Sequence, residues 1–153
     1  GKRLLEAEQL ILNSAYPGVV VRFSGIYGPG RYRLIEQVLN QRASASSHYT
    51  NRIHAEDCAG VLAHLIEKGK TQSLEPVYLA SDCTPTPMVE VVGWIAQQLG
   101  IDQYLSADAV NERGNKRIGN RRLLASGYNF RYPDFRTGYE ALLRGYHPSP
   151  TLK

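Results

Sequence analysis

Apolar positions along this chain fall into alternating helical and strand-like patterns. Leu4, Leu5, Leu10, Ile11 and Leu12 recur at helical spacing and predict an amphipathic helix over about residues 2–13. Tyr16-Pro17-Gly18 ends it. Val19-Val20-Val21 then reads as a strand buried on both faces of a parallel sheet, running to about Tyr27. Gly28, Pro29 and Gly30 cannot continue a ladder, so the backbone must turn there. Helical spacing returns at Leu34, Ile35, Val38 and Leu39, followed by a polar loop over residues 41–47. Asp57 stands where it would cap a helix with the stripe Cys58, Val61, Leu62, Leu65 and Ile66, and Gly69 stops that helix. Residues 76–80 predict a short strand. Thr86-Pro87 opens a helix with Val92, Ile95, Ala96 and Leu99 inward and Gly100 at its end. Thr137 and Glu140, at capping-box spacing, start a last helix that ends near Gly145, and His147-Pro148-Ser149-Pro150 reads as a tail.

Strands separated by helices argue for right-handed parallel crossovers, and so for an α/β fold rather than a bundle or a sandwich. A hydrophobic content of 42% with 21% charged residues is that of a folded domain with one sizeable core. No apolar stretch approaches the roughly 20 residues of a membrane span, and no membrane partner is expected. The two cysteines, Cys58 and Cys83, make neither a disulfide framework nor a metal-spacing motif, so the expected setting is reducing and cytoplasmic, with no metal. The formal charge of +4 is concentrated. Between Arg113 and Arg131 lie six basic residues, Arg113, Lys116, Arg117, Arg121, Arg122 and Arg131, and no acidic one, while the remainder carries 12 basic against 14 acidic. The stretch lacks interleaved stacking aromatics, which argues against nucleic acid as the partner. Arg22, inside an apolar strand, reads either as a hub for carboxylates such as Asp57 or as a residue bordering the cleft.

Four segments, in order, carry a resemblance: Arg22 to Gly30, Arg52-Ile53-His54-Ala55-Glu56-Asp57-Cys58-Ala59, Tyr78-Leu79-Ala80-Ser81-Asp82, and Asn115-Lys116-Arg117-Ile118 leading to Tyr132-Pro133. Together they resemble the latter part of an atypical extended short-chain dehydrogenase/reductase of the NAD-dependent epimerase/dehydratase family. The resemblance implies the C-terminal part of a doubly wound Rossmann-type parallel sheet with a small substrate lobe. The sheet elements would occupy about 1–100 and the lobe about 30–55 and 100–147, with the N-terminal dinucleotide turn absent, so that residues 1–153 form a single domain or fragment. It implies NAD or NADP as cofactor in the full-length protein. Phe23, Ser24, Gly25, Ile26 and Tyr27 would pass the nicotinamide, and Arg31, Arg33, Arg52 and Arg117 would meet a small-molecule substrate, possibly nucleotide-linked. In the family an arginine four residues before the histidine holds the diphosphate, and here that position is Thr50. The family's catalytic Tyr-x-x-x-Lys pair belongs at the first helix, yet the lysine position falls on Leu4 if Glu8 is the family's glutamate. Pairing Lys2 with Glu6 restores a lysine and places the tyrosine further outside the chain. The catalytic residues are therefore unknown. The expected partners are a missing N-terminal half and, as an open alternative, a second copy in a homodimer. Two readings of function follow: an oxidoreductase, with this chain inactive alone, or a non-catalytic dinucleotide-binding regulator of the same fold.

Overall fold

The computed structural model describes residues 1–101 and 115–146. Elements follow one another as α1 (Lys2–Leu12), β1 (Val20–Phe23), β2 (Gly25–Tyr27), α2 (Arg33–Leu39), β3 (Tyr49–Thr50), β4 (Arg52–His54), α3 (Ala55–Gly69), β5 (Val77–Ala80), β6 (Thr86–Pro87), α4 (Met88–Gln98), α5 (Arg121–Ala125) and α6 (Phe135–Arg144). β1 runs parallel to β5, with Val20 opposite Val77 and Phe23 opposite Ala80. β2 runs parallel to β4, with Gly25 opposite Arg52 and Tyr27 opposite His54. β3 and β6 form a short antiparallel pair, Tyr49 opposite Pro87. The fold is α/β, as the alternation of periods requires.

The expected single strand from Val19 to Tyr27 is two strands that change partner at Ser24. Ser24 N–H still donates to Ala80 O on the β5 side, at 2.9 Å, whereas Gly25 N–H donates to Asn51 O at the head of β4, at 3.1 Å. Nor is the strand covered on both faces. Val20 and Tyr27 are buried, but Arg22 and Ile26 are exposed, and Leu79 beside Arg22 is 37% exposed. Helix α1 buries none of its residues, and its leucines stand open to solvent. Arg22 is consequently not the hub expected of it: its guanidinium grips Glu8 of α1, which holds the Glu8 carboxyl below its usual range.

Two apolar clusters divide the interior. One joins β1, β4 and β5 to α3 and α5 through Ile53, Val61, Leu65, Tyr78, Ala80 and Leu123. The other is a helical lobe in which α2, α4 and α6 close over Tyr27 through Ile35, Val38, Val91, Ile95, Phe135 and Leu142. Each of the Val, Leu, Ile and Phe side chains contributes about 1.5–3 kcal/mol on burial. Period-two alternation splits β4 between them: Ile53 packs in the first cluster, while the flanking Arg52 and His54 point to the other face. Arg52 and His54 are therefore carried into the boundary between sheet and lobe.

Helix starts also differ from those expected. His54, not Asp57, caps α3, its Nδ1 accepting from Glu56 N–H at 3.2 Å. Asp57 sits inside the first turn, buried, where it accepts from Tyr128 Oη at 2.8 Å, Arg131 N–H at 2.8 Å and Tyr132 N–H at 2.9 Å. It moors the segment between α5 and α6, a long-range task that local spacing does not encode. Asp134 caps α6 by accepting from Thr137 N–H at 2.9 Å, so the helix begins at Phe135, ahead of Thr137. Thr86-Pro87 pairs with β3 before α4 begins at Met88. On α3 the expected inward stripe is half realised: Val61 and Leu65 are buried, Leu62 and Ile66 exposed at 44% and 67%. Arg113 and the tail from His147 lie outside the described residues.

Candidate functional site

The two parallel pairs meet end to start: β5 ends at Ala80 beside Ser24, where β2 and β4 begin, and the continuation of β5 folds across the head of β4, Asp82 N–H donating to Arg52 O at 2.7 Å. The parting of β1 from β2 opens the sheet beside this point, and such a branch is where open α/β sheets receive ligands. Ser24 and Gly25 occupy the branch. Gly25 is exposed, and a Cβ there would meet Asn51 O at 3.2 Å, so the bare backbone is presented outward beside the neighbouring strand. Ser24 Oγ is buried without a hydrogen-bond partner. Ile26 is exposed, and Phe23 and Ser24 are half-buried.

Asn51, immediately before β4, extends the site. Its carboxamide accepts from Ile118 N–H and donates to Lys116 O, both at 2.8 Å, clasping the basic segment on either side of Arg117. Asn115 Oδ1 accepts from Tyr49 N–H at 2.8 Å, and the Arg117 guanidinium lies 3.8 Å above the Tyr49 ring. Stacking uses the face of a guanidinium and leaves its edge N–H groups free for a carboxylate or phosphate. Lys116 and Arg117 are both exposed.

Behind the rim lies a buried polar group. Arg52 is 6% exposed; one of its terminal nitrogens donates to Thr50 Oγ1, while the other, Nη1, has no partner. Asp82 is 1% exposed, and its carboxyl is pushed up to about 7, chiefly by burial, against the opposing pull of Arg52. Tyr27 is stacked on Tyr139, with ring centroids 4.6 Å apart, and meets His54 edge-on at 5.3 Å. Burial drives the Tyr27 phenol strongly upward and the His54 imidazole downward. With His54 Nδ1 accepting a backbone proton, Nε2 carries the ring proton, and it too is buried without a partner.

The four arginines expected at the substrate therefore separate. Arg117 lies on the rim with Asn51; Arg31 and Arg33 are exposed just beyond the Gly28–Gly30 turn; Arg52 lies inside, against the Phe135 ring at 5.7 Å. Sequence reasoning assigned no role to Asn51, Tyr49 or Asp82. For Asp82 the legible signal was a Ser-Asp pair directly after an apolar strand end, but Asn51 acts across 65 residues and has no local signature. Cys83 is exposed, whereas Cys58 packs against the sheet cluster and its thiol is raised to about 11 by burial, which makes it a poor nucleophile.

No family model and no curated protein matches the sequence. Solved structures do. The chain is 43% identical to a protein from Methylobacillus flagellatus described as an NAD-dependent epimerase/dehydratase, with a TM-score of 0.83 over 94% of this chain and 52% of that one. It is 28% identical to a conserved protein of unknown function from Silicibacter pomeroyi, with a TM-score of 0.73 over 95% of this chain and 55% of that one. A human epimerase family protein solved with NADPH shares the fold at 18% identity and a TM-score of 0.72, over 88% of this chain and 50% of that one. The chain thus spans about half the length of these proteins.

Proposed function

The chain belongs to the NAD-dependent epimerase/dehydratase family, among the extended short-chain dehydrogenases/reductases, and from that premise we propose that it forms the substrate side of the ligand crevice in an NAD(P)-dependent oxidoreductase acting on a nucleotide-sugar or a related hydroxyl or carbonyl compound. The observation that carries this reading is the branch at Ser24, where exposed glycine backbone and an unsatisfied hydroxyl stand beside Asn51 and the basic segment it clasps.

The residues present fit the nicotinamide end of a dinucleotide. Gly25 admits a flat ring against the backbone, Ser24 Oγ has an unused hydrogen bond, and Phe23, Ile26 and Tyr27 continue the same segment. When bound, the nicotinamide supplies hydride transfer. The pyrophosphate and adenosine would rest on a complementary part of the fold that docks on the open face of α1 and the sheet, where Leu4, Leu10, Ile26 and Leu79 are exposed. Lys116 and Arg117 would hold the anionic portion of the substrate, with Arg31 and Arg33 contributing from the turn after Gly30. Arg52 would act from behind the rim. The regulator reading is favoured by one residue: Leu4 stands at the family's lysine position if Glu8 is the family's glutamate.

A chimera tests both. Joining this chain behind the first half of the Methylobacillus flagellatus protein should give a monodisperse protein that binds NADH or NADPH, followed by nicotinamide fluorescence, and uridine diphosphate as the anionic probe. Arg117→Ala and Asn51→Ala should each weaken the uridine diphosphate without disturbing the cofactor, Arg117→Ala by about 1.5–3 kcal/mol for a lost charged hydrogen bond. A folded chimera that binds neither cofactor would refute the reading. Cofactor binding without turnover of any hydroxyl or carbonyl substrate, even with the catalytic pair restored, would leave the regulator.

A further inference from the structure

Two opposite charges lie buried at the boundary between sheet and lobe without touching. Arg52, on β4, and Asp82, just past β5, are neighbours, since Asp82 N–H donates to Arg52 O at 2.7 Å, yet their side chains form no direct ion pair. Each has an unmet need. Arg52 Nη1 is a buried donor without an acceptor, and Asp82 Oδ2 a buried acceptor without a donor; Asp82 Oδ1 has only a long contact from Thr84 N–H at 3.4 Å. Tyr27, 5% exposed and with its hydroxyl also without a partner, stands on the same face of the β2–β4 pair as Arg52, since Gly25 lies opposite Arg52 and Tyr27 opposite His54. Three buried side chains with unpaired atoms are not a stable arrangement in a dry interior.

We propose that Arg52 and Asp82 are bridged by an internal water that also meets the Tyr27 hydroxyl, and that this hydrated pair pins helix α6 of the lobe to the strand ends beside the ligand crevice. A water has two donors and two acceptors, so one molecule accepts from Nη1, donates to Oδ2 and retains a bond for the phenol. Direct substrate contact is a poorer account of these atoms, because all three side chains are at least nine-tenths buried. The link to α6 is geometric. Tyr27 stacks on Tyr139, its hydroxyl lies against Gly138, where a Cβ would come within 1.9 Å, and the Arg52 guanidinium faces the Phe135 ring. The charged groups acting on Asp82 come from every side: Arg52 from β4, Asp57 from α3 and Asp134 from the cap of α6. Two of those three are acids. An uncompensated Asp82 anion is therefore disfavoured, and a water donor on Oδ2 relieves it.

Water-to-protein cross-relaxation NMR on the 153-residue chain tests this directly. The expected result is a long-lived water contact, of the sign that reports residence beyond a nanosecond, at the Asp82 amide and the Tyr27 ring protons. Asp82→Asn, which keeps an acceptor, should retain it. Arg52→Met with Asp82→Leu removes both polar ends and should abolish it; if that pair fails to fold, Tyr27→Phe, which keeps the stack and deletes one water partner, should shorten the residence time instead. Absence of a long-lived water in the folded wild type, a direct Arg52–Asp82 contact in its place, or a signal unaltered by Arg52→Met with Asp82→Leu or by Tyr27→Phe would each overturn the proposal. The test is independent of any cofactor or substrate.

Discussion

Gly138→Ala sets helix propensity against packing, and the structure predicts which prevails. Gly138 is buried within α6, and in an open helix its replacement by alanine would gain about 1 kcal/mol. Here the new Cβ would lie 1.9 Å from Tyr27 Oη, 2.7 Å from Cζ and 2.8 Å from Cε2. Distances under 3 Å require a shift, and the ring has nowhere to go, being 5% exposed and fixed between Tyr139 and His54. Overpacking of this kind costs about 1–3 kcal/mol or more. Because two ring atoms and the hydroxyl oxygen are too close rather than one flexible tip, the upper part of that range applies, leaving a net loss of about 1–2 kcal/mol after the propensity gain. For a domain of this size that is a fall of roughly 3–8 °C in melting temperature. Urea unfolding followed by circular dichroism gives the value. Combining Gly138→Ala with Tyr27→Leu should recover most of it, since the clash disappears with the ring. A Gly138→Ala protein more stable than wild type would refute the seating of Tyr27 against α6, and with it the route by which the lobe is joined to β2.

Two further substitutions probe the polar interior. Asp57→Ala removes the acceptor for Tyr128 Oη and for the N–H groups of Arg131 and Tyr132, and should cost about 3–5 kcal/mol, with hydrogen exchange accelerating first over residues 128–132. Unchanged protection there would show that the segment is held by packing alone. Asp82 should also impose a pH dependence. Its carboxyl is raised to about 7 in the fold against an ordinary value near 4, so between those values the folded state binds the extra proton, and stability falls as pH rises through that window and levels off above it. The full span corresponds to at most about 4 kcal/mol, and Asp82→Asn should flatten the slope between pH 4 and 7. Equal slopes in the two proteins would place the titration elsewhere.

Local order was legible along the chain. The helical spacing of residues 2–13, the apolar strand at Val19–Val21, the turn at Gly28–Gly30 and the stop at Gly100 depend on contacts a few residues apart or on backbone freedom, and both leave marks in sequence. Gly28 is the clearest: its φ of +152° and a would-be Cβ 2.8 Å from that of Ala55 leave room for glycine only. The alternation of periods was likewise sufficient to reach a parallel α/β fold, because crossover geometry admits few other arrangements. Partner choice was not legible. Whether Arg22 met Asp57 or Glu8, whether Asp57 capped its own helix or clasped residues 128–132, and whether Arg52 faced a ligand or the interior all turned on which segments the fold brings together. A strand of alternating parity has two faces, and sequence alone does not say what stands against each. Asn51 shows the limit plainly. Its role exists only because residues 115–118 return to the head of β4, and the same amide on a solitary strand would be an unremarked polar residue. Hydrophobic periodicity is spread over many residues of an element, whereas a single long-range hydrogen bond constrains one residue, so the first is written redundantly along the chain and the second appears only in the folded structure.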